Sequence, residues 1–208
     1  AITGDLLWRH AQQRPMFAAG SSGLTAALVA AWRNAALIPQ TSTLPAKTQE
    51  LAPLLAISGS CSPVTANQIQ WALANGFHGI AINPAKLLDS PAERSSILAA
   101  ATASLAAGKS TILYTALGPP STAAHGDNLG EALGHLLRTL LDTTQPRRIL
   151  LCGGDTSSHA TQQLGLYALT WLAHVQTGAP LCQAHSDDPA LHNLELILKG
   201  GQVGTPDL

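Results

Sequence analysis

Short apolar runs alternate with longer helical segments over most of the chain. Four runs, at 54–57, 79–82, 111–114 and 149–152, are continuously apolar or nearly so, as strands buried on both faces are. Each is followed by small or polar residues and then by a segment with helical spacing. This rhythm predicts a Rossmann-like α/β fold: a three-layer arrangement in which helices cover both faces of a mostly parallel sheet.

The predicted helices carry end signals. Ser90 can cap a helix, Pro91 suits its first position, Glu93 can close a capping box, and Gly108 predicts its end. Between 129 and 141, leucines recur at spacings of three and four and form one apolar stripe. That stripe predicts a helix packed on the sheet.

Beyond residue 152, a glycine-rich turn leads into a helix that we expect to end at Gln163. Two later apolar runs, 166–175 and 194–198, predict further strands. An antiparallel orientation is considered for the last one.

The first fifty residues differ from the rest. Their pattern predicts helices over 6–13 and 22–36, separated by a short strand over 16–18. Residues 39–52 are rich in threonine, proline and glutamine, which predicts a linker or surface loop.

These differences predict two domains. We expect residues 1–38 to be the tail of an N-terminal, substrate-binding domain and residues 53–208 to form a C-terminal domain. The chain is thus expected to be part of a longer protein.

Composition excludes several classes of partner. The 208 residues carry a formal net charge of -1 and only 11% charged residues, so no basic field favours nucleic acid or an anionic membrane. The apolar stretch 24–32 is about half of the ~20 residues that a spanning helix needs, and residues 1–13 do not resemble a signal peptide. Three cysteines without a CxxC spacing argue against disulfides and structural zinc. We therefore expect a cytoplasmic protein without a metal site built from its side chains.

Three clusters of small residues follow apolar runs. The first cluster is 58–62 (SGSCS), the second is 153–158 (GGDTSS) and the third is 200–204 (GGQVG). In an open α/β sheet, ligands bind outside the carboxyl ends of the strands, so the three clusters are expected to meet at one crevice.

Glycine lets the main chain approach a ligand closely, and hydroxyls and helix N-terminal amides donate to oxyanions. The clusters therefore favour a phosphate ligand. An equally simple reading is that strand-to-helix turns need these residues anyway, with Asp155 or Thr156 capping a helix. The P-loop and GxGxxG fingerprints are both absent from the sequence, which disfavours a dehydrogenase-like dinucleotide domain.

Taken in order, SGSCS at 58–62, GGDTS at 153–157 and LKGGQVG at 198–204 resemble the SGSCS, GG[ED]TSG and LKSGNFG segments of the four-carbon acid sugar kinases. GSSGL at 20–24 is similar to the family's GGSGL. Ser158, Ser21 and Gln202-Val203 depart from the family pattern, but the glycines most needed for close approach are kept.

The resemblance implies a C-terminal domain that binds ATP or ADP with Mg²⁺ bridging the phosphates. The implied ATP-binding residues are Ser58, Gly153, Gly154, Asp155, Thr156 and Gly201. The implied substrate is a four-carbon sugar acid such as threonate or 3-oxo-tetronate, presented by an N-terminal domain. The family's acidic DD motif lies in that domain, so this chain alone is not expected to phosphorylate a substrate, and no catalytic residue is assigned. A homodimer is a candidate assembly.

One alternative is a non-enzymatic α/β module that binds a nucleotide or metabolite.

Several other residues have simple structural interpretations. His159 suits a surface or helix-start position, Cys61 has no histidine or acid beside it in sequence, and the four tryptophans suit core or interdomain packing.

Overall fold

The computed structural model describes residues 2–40, 53–118 and 126–208 of the chain. It divides into two compact units, Ala1–Leu44 and Pro45–Leu208. The described part of the first unit contains helices α1 and α2, and the second unit contains helices and a seven-stranded sheet. The predicted linker, 39–52, falls almost entirely outside the described residues.

The elements follow one another along the chain as α1 (Ile2–Gln13), α2 (Ser22–Asn34), β1 (Leu54–Ser58), α3 (Pro63–Ala74), β2 (His78–Ala81), α4 (Pro84–Asp89), α5 (Pro91–Ala106), β3 (Thr111–Tyr114), α6 (Gly126–Thr144), β4 (Arg148–Cys152), α7 (Gly154–Gln162), β5 (Leu166–Gln176), β6 (Ala179–Ser186) and β7 (Glu195–Lys199). All four strands expected to be parallel are present.

The first unit is a close pair of helices. A Cβ on Gly4 would lie 1.9 Å from the carbonyl oxygen of Ala27, so only glycine allows α1 to approach α2 this closely. Trp8 and Trp32 meet edge to face with ring centroids 5.6 Å apart. These contacts confirm a packing role for these two tryptophans.

The sheet of the second unit has the order β2-β3-β1-β4-β7-β6-β5. The five strands from β2 to β7 in this order are parallel, whereas β6 is antiparallel to both β7 and β5. The strand order reverses at β1, because β3 and β2 lie on one side of it and β4 and β7 on the other. Such a switch point opens a crevice at the carboxyl ends of the strands.

Helices cover both faces of the sheet, so the predicted three-layer α/β fold is confirmed. On one face, side chains such as Leu55, Ile57 and Leu151 pack with residues of α4, α5, α6 and α7. On the other face, Ala56, Leu150 and their neighbours pack with Ile69 of α3. We call the second face the α3 face.

The helix-end signals act as the sequence predicts. The Ser90 hydroxyl accepts a hydrogen bond from the Glu93 amide at 3.2 Å, which caps α5. Gly108 follows the end of α5 with a φ of 73°, a conformation that favours glycine. The leucine stripe of α6 is buried, with Leu133, Leu137 and Leu140 fully inaccessible.

Two expectations need correction, and the sheet contains one additional strand. Residues 16–18 form no strand, and Phe17 is 91% exposed: the described part of its unit offers only helices, so an extended segment there has no strand to pair with. The last strand, β7, is antiparallel only to β6 and is parallel to β4. Strand β6 was not predicted, because polar residues and a proline interrupt its apolar pattern.

None of the helices in the described ranges is long and apolar enough to cross a membrane.

Candidate functional site

The three clusters lie at one edge of the sheet, after neighbouring parallel strands. Ser58, Cys152 and Lys199 are register partners at the ends of β1, β4 and β7. The Gly59 amide donates to the Cys152 carbonyl at 3.2 Å, and the Gly153 amide donates to the Lys199 carbonyl at 3.0 Å. The structure therefore brings together all six of the residues that the resemblance selected.

The serine hydroxyls of the first cluster accept hydrogen bonds from backbone amides in or next to the same segment. Ser58 is fully buried, and its Oγ accepts from the Ser60 amide at 3.4 Å. The Ser60 Oγ accepts from the Ser62 amide, and the Ser62 Oγ accepts from the Val64 amide, both at 3.2 Å. Ser62 thereby caps α3, so part of the donor capacity at this helix end is already used.

The second cluster is built differently. Gly153 takes a φ of 111° and stands at the N-cap of α7, whose N-terminus has no side-chain hydrogen bond from the described residues. Gly154 and Asp155 are exposed, and a Cβ placed on Gly154 would meet no described heavy atom within 4 Å. An uncapped helix N-terminus beside open space has the geometry and the partial charge that an anion needs.

The third cluster packs on the first. A Cβ on Gly201 would lie 2.5 Å from the Ser60 Oγ and 3.2 Å from the Ser62 Cβ. The Thr65 hydroxyl of α3 also donates to the Gly201 carbonyl at 2.8 Å. Gly201 thus gives these two clusters a close backbone contact.

Thr156 joins the second cluster to the first. It is buried, and a Cβ on Gly59 would lie 2.2 Å from its Oγ1. Thr156 is therefore a packing residue beneath the crevice, whereas its neighbours Gly154 and Asp155 face outwards.

Lys199 is a buried cation that lies in the LKGGQVG segment but is not among the six residues that the resemblance implies. Its side chain is 3% exposed, and its ammonium donates to the Thr65 Oγ1 at 3.0 Å. Burial lowers the pKa of Lys199, and burial also raises the pKa of the neighbouring Cys152 thiol to about 11. A lysine at the end of an apolar run, directly before two glycines, is the sequence signal that marks it.

His159, Cys61 and the other two tryptophans lie in different environments. A Cβ on Gly130 would lie 2.8 Å from the ring of His159, so that ring packs against α6. Cys61 is half-buried. Trp71 and Trp171 are 41% and 43% exposed, so the expected core position is wrong for these two tryptophans.

Among the residues of the three clusters, Asp155 is the sole carboxylate. In the described ranges no group of three histidine, cysteine or acidic side chains is arranged to hold a metal ion. The single carboxylate of Asp155 fits a Mg²⁺ ion that is coordinated mainly by phosphate oxygens. Mg²⁺ commonly binds through one or two carboxylates and a substrate's phosphates.

The fold is that of an α/β domain with a crevice at the carboxyl ends of its parallel strands. The model of the family described as "Nucleotide-binding C-terminal domain" matches residues 55–208, and the chain belongs to this family. The match supports the resemblance to the four-carbon acid sugar kinases that the three clusters indicated.

Two of the curated relatives are named as kinases. The chain is 40% identical to a 3-oxo-isoapionate kinase of Paraburkholderia graminis, over 98% of this chain and 47% of the relative. It is 30% identical to a 3-oxo-tetronate kinase of Cupriavidus necator, over 90% of this chain and 44% of the relative. The chain thus spans less than half the length of the curated relatives that it matches.

Solved structures share the fold. A domain of unknown function from Bordetella bronchiseptica, crystallised with citrate as a domain-swapped dimer, has a TM-score of 0.65 at 20% identity, covering 90% of this chain and 43% of its own. A Haemophilus influenzae protein has a TM-score of 0.63 at 21% identity, covering 89% and 44%.

Proposed function

We propose that this chain is the ATP-binding part of a kinase that phosphorylates a sugar acid. The observation that carries the proposal is the uncapped N-terminus of α7, which opens beside Gly154 at the carboxyl edge of a sheet of the nucleotide-binding family. The kinase activity named for the curated relatives supports phosphoryl transfer as the reaction.

In this proposal the nucleotide phosphates lie against the amides at the start of α7. The positive φ of Gly153 turns the chain so that α7 begins at the crevice, and the side chain missing from Gly154 leaves room for an oxyanion. Ser58 and Gly201 shape the opposite wall through their contacts within and between the first and third clusters.

Mg²⁺ supplies charge neutralisation when it is bound to the phosphates. Asp155, exposed at the first turn of α7, is the residue that we propose holds it, directly or through water. Positioning and electrostatic stabilisation are the main catalytic contributions that phosphoryl transfer requires of a protein.

For the substrate we propose an acid of the 3-oxo-isoapionate or 3-oxo-tetronate type, presented by a separate N-terminal domain. The relative at 40% identity makes 3-oxo-isoapionate the first compound to test.

We also propose a cytoplasmic location and a homodimer for the whole protein. Size-exclusion chromatography with light scattering tests the homodimer.

The first experiment is titration calorimetry of the 208-residue chain with ADP and ATP, with and without Mg²⁺. We expect binding that strengthens when Mg²⁺ is present. The same chain is expected to show no phosphorylation of 3-oxo-isoapionate or 3-oxo-tetronate, whereas the whole protein phosphorylates one of them. No detectable heat and no thermal shift at millimolar nucleotide would reject the proposed nucleotide site.

A further inference from the structure

Lys199 occupies an electrostatically unusual position. Its ammonium carries three donor hydrogens, but it makes a single hydrogen bond within the described residues, to the Thr65 hydroxyl. The ion pairs found in the described ranges join Arg138 to two aspartates and Arg148 to Glu195, and none includes Lys199. Lys199 is therefore a buried cation without an anionic partner in the described part of the chain.

The surroundings of Lys199 increase this imbalance. Thr65 lies in the first turn of α3, where the helix dipole places partial positive charge, so the ammonium lies beside the end that repels a cation. The register neighbour of Lys199 is Cys152, and burial keeps its thiol in the neutral form by raising the pKa to about 11. An anion at this position would pair with the ammonium and would also be attracted by the positive end of the helix dipole.

The position of Lys199 links it to the nucleotide crevice. It ends β7 directly before the third cluster, and Thr65 bonds both the Lys199 ammonium and the Gly201 carbonyl.

Lys199 also lines a largely apolar cavity of about 460 Å³ on the α3 face, together with Ile69 and Leu150. Other charged residues lining this cavity are Arg148, which pairs with Glu195, and Asp207, whose carboxylate accepts from the Thr205 hydroxyl.

We infer that Lys199 contacts the phosphates of the bound nucleotide and supplies the positive charge that the three clusters themselves lack. This inference rests on the proposed function. The first, second and third clusters contain no lysine or arginine, so their amides and hydroxyls offer only neutral donors. Lys199 would complete a site in which neutral donors orient the phosphates and one buried cation offsets their charge.

The test compares Lys199→Met and Lys199→Gln with the unchanged 208-residue chain, using calorimetric titrations with ADP and with adenosine. Removing one charged hydrogen bond to phosphate weakens binding by about 10- to 100-fold. We expect that loss for ADP in both variants, and adenosine affinity within about twofold of the original value. Lys86→Met removes a lysine from the exposed surface of α4 and serves as the control, with ADP affinity nearly unchanged.

Thermal unfolding separates this role from a structural one. Replacing a buried unpaired charge by methionine should leave the melting temperature unchanged or raise it, whereas removing a structural brace would lower it. If ADP and adenosine weaken equally, or if ADP affinity is unchanged in both variants, the inference is wrong although the proposed function stands. Failure of the unchanged chain to bind ADP would reject the proposed function itself.

Discussion

Gly154 and Gly201 belong to similar glycine pairs, yet the structure gives them opposite surroundings. Gly201 is held against Ser60 and Ser62, so the space that a side chain would need is filled by protein. Gly154 has open space where its side chain would be, at the start of a helix without a side-chain cap among the described residues. Gly201 is thus required for packing between clusters, and Gly154 leaves room for a ligand.

Glycine content alone does not locate a ligand in this domain. The first and second clusters both precede a helix, but Ser62 caps α3 with its own hydroxyl while Gly153 offers α7 no side chain. The amides at the start of α7 are therefore the better hydrogen-bond donors for an anion.

The largest effect is expected for Gly154→Val. The valine side chain enters open space, so the free energy of unfolding should change by less than about 1 kcal/mol. It would nevertheless occupy the position of the nucleotide phosphates, and we expect ADP affinity to fall by at least about 100-fold, or about 3 kcal/mol. Calorimetry and thermal unfolding of the same samples measure both quantities.

Gln162→Val is the matched control, because it adds a valine at the exposed last turn of α7. It should leave ADP affinity unchanged. A folded Gly154→Val variant with full ADP affinity would remove the start of α7 from the nucleotide site.

A smaller effect, on stability, is expected for Gly201→Ala. The new methyl group would lie 2.5 Å from the Ser60 Oγ, and overpacking of this kind costs about 1–3 kcal/mol. In a Ser60→Ala background that oxygen is gone, so the same substitution should cost less than about 1 kcal/mol. Urea unfolding of all four chains completes the cycle, and equal costs in both backgrounds would show that Ser60 does not explain the need for glycine.

The smallest effect is expected for Ser62→Ala, which removes the cap of α3. Loss of a serine cap costs about 1 kcal/mol of stability. Because that helix end is satisfied from within the chain, ADP affinity should change by less than about threefold. Urea unfolding and calorimetry measure the two effects, and a large loss of affinity with little loss of stability would contradict the assignment of α7 as the main phosphate contact.

Much of the sheet could be predicted from the sequence, because continuous apolar runs such as 149–152 are typical of strands buried on both faces. The antiparallel pairing of β6 with β5 and β7 could not be predicted, since β6 alternates buried and partly buried residues and includes Pro180. The strand predicted at 16–18 was wrong because local apolar character does not supply a partner to pair with.

The resemblance to a known family could identify the six site residues. The sequence could not show how the surroundings of these residues differ. Nothing in the letters GGDT and GGQV shows that one glycine pair faces open space and the other packs on a serine. Lys199 was missed because a single lysine at the end of a strand is ordinarily solvated, and its burial depends on α3, which is distant in sequence.

The central position of β1 also sets the order in which this domain can form. Leu55 pairs with Thr111 of β3 and with Ile149 of β4, so the strand made first in this sheet must wait for partners made much later. The β5–β6 hairpin, in contrast, closes across a two-residue turn and can form within microseconds of its synthesis. The parallel sheet joins segments that are far apart in sequence, so we expect its completion to be slower than formation of the hairpin.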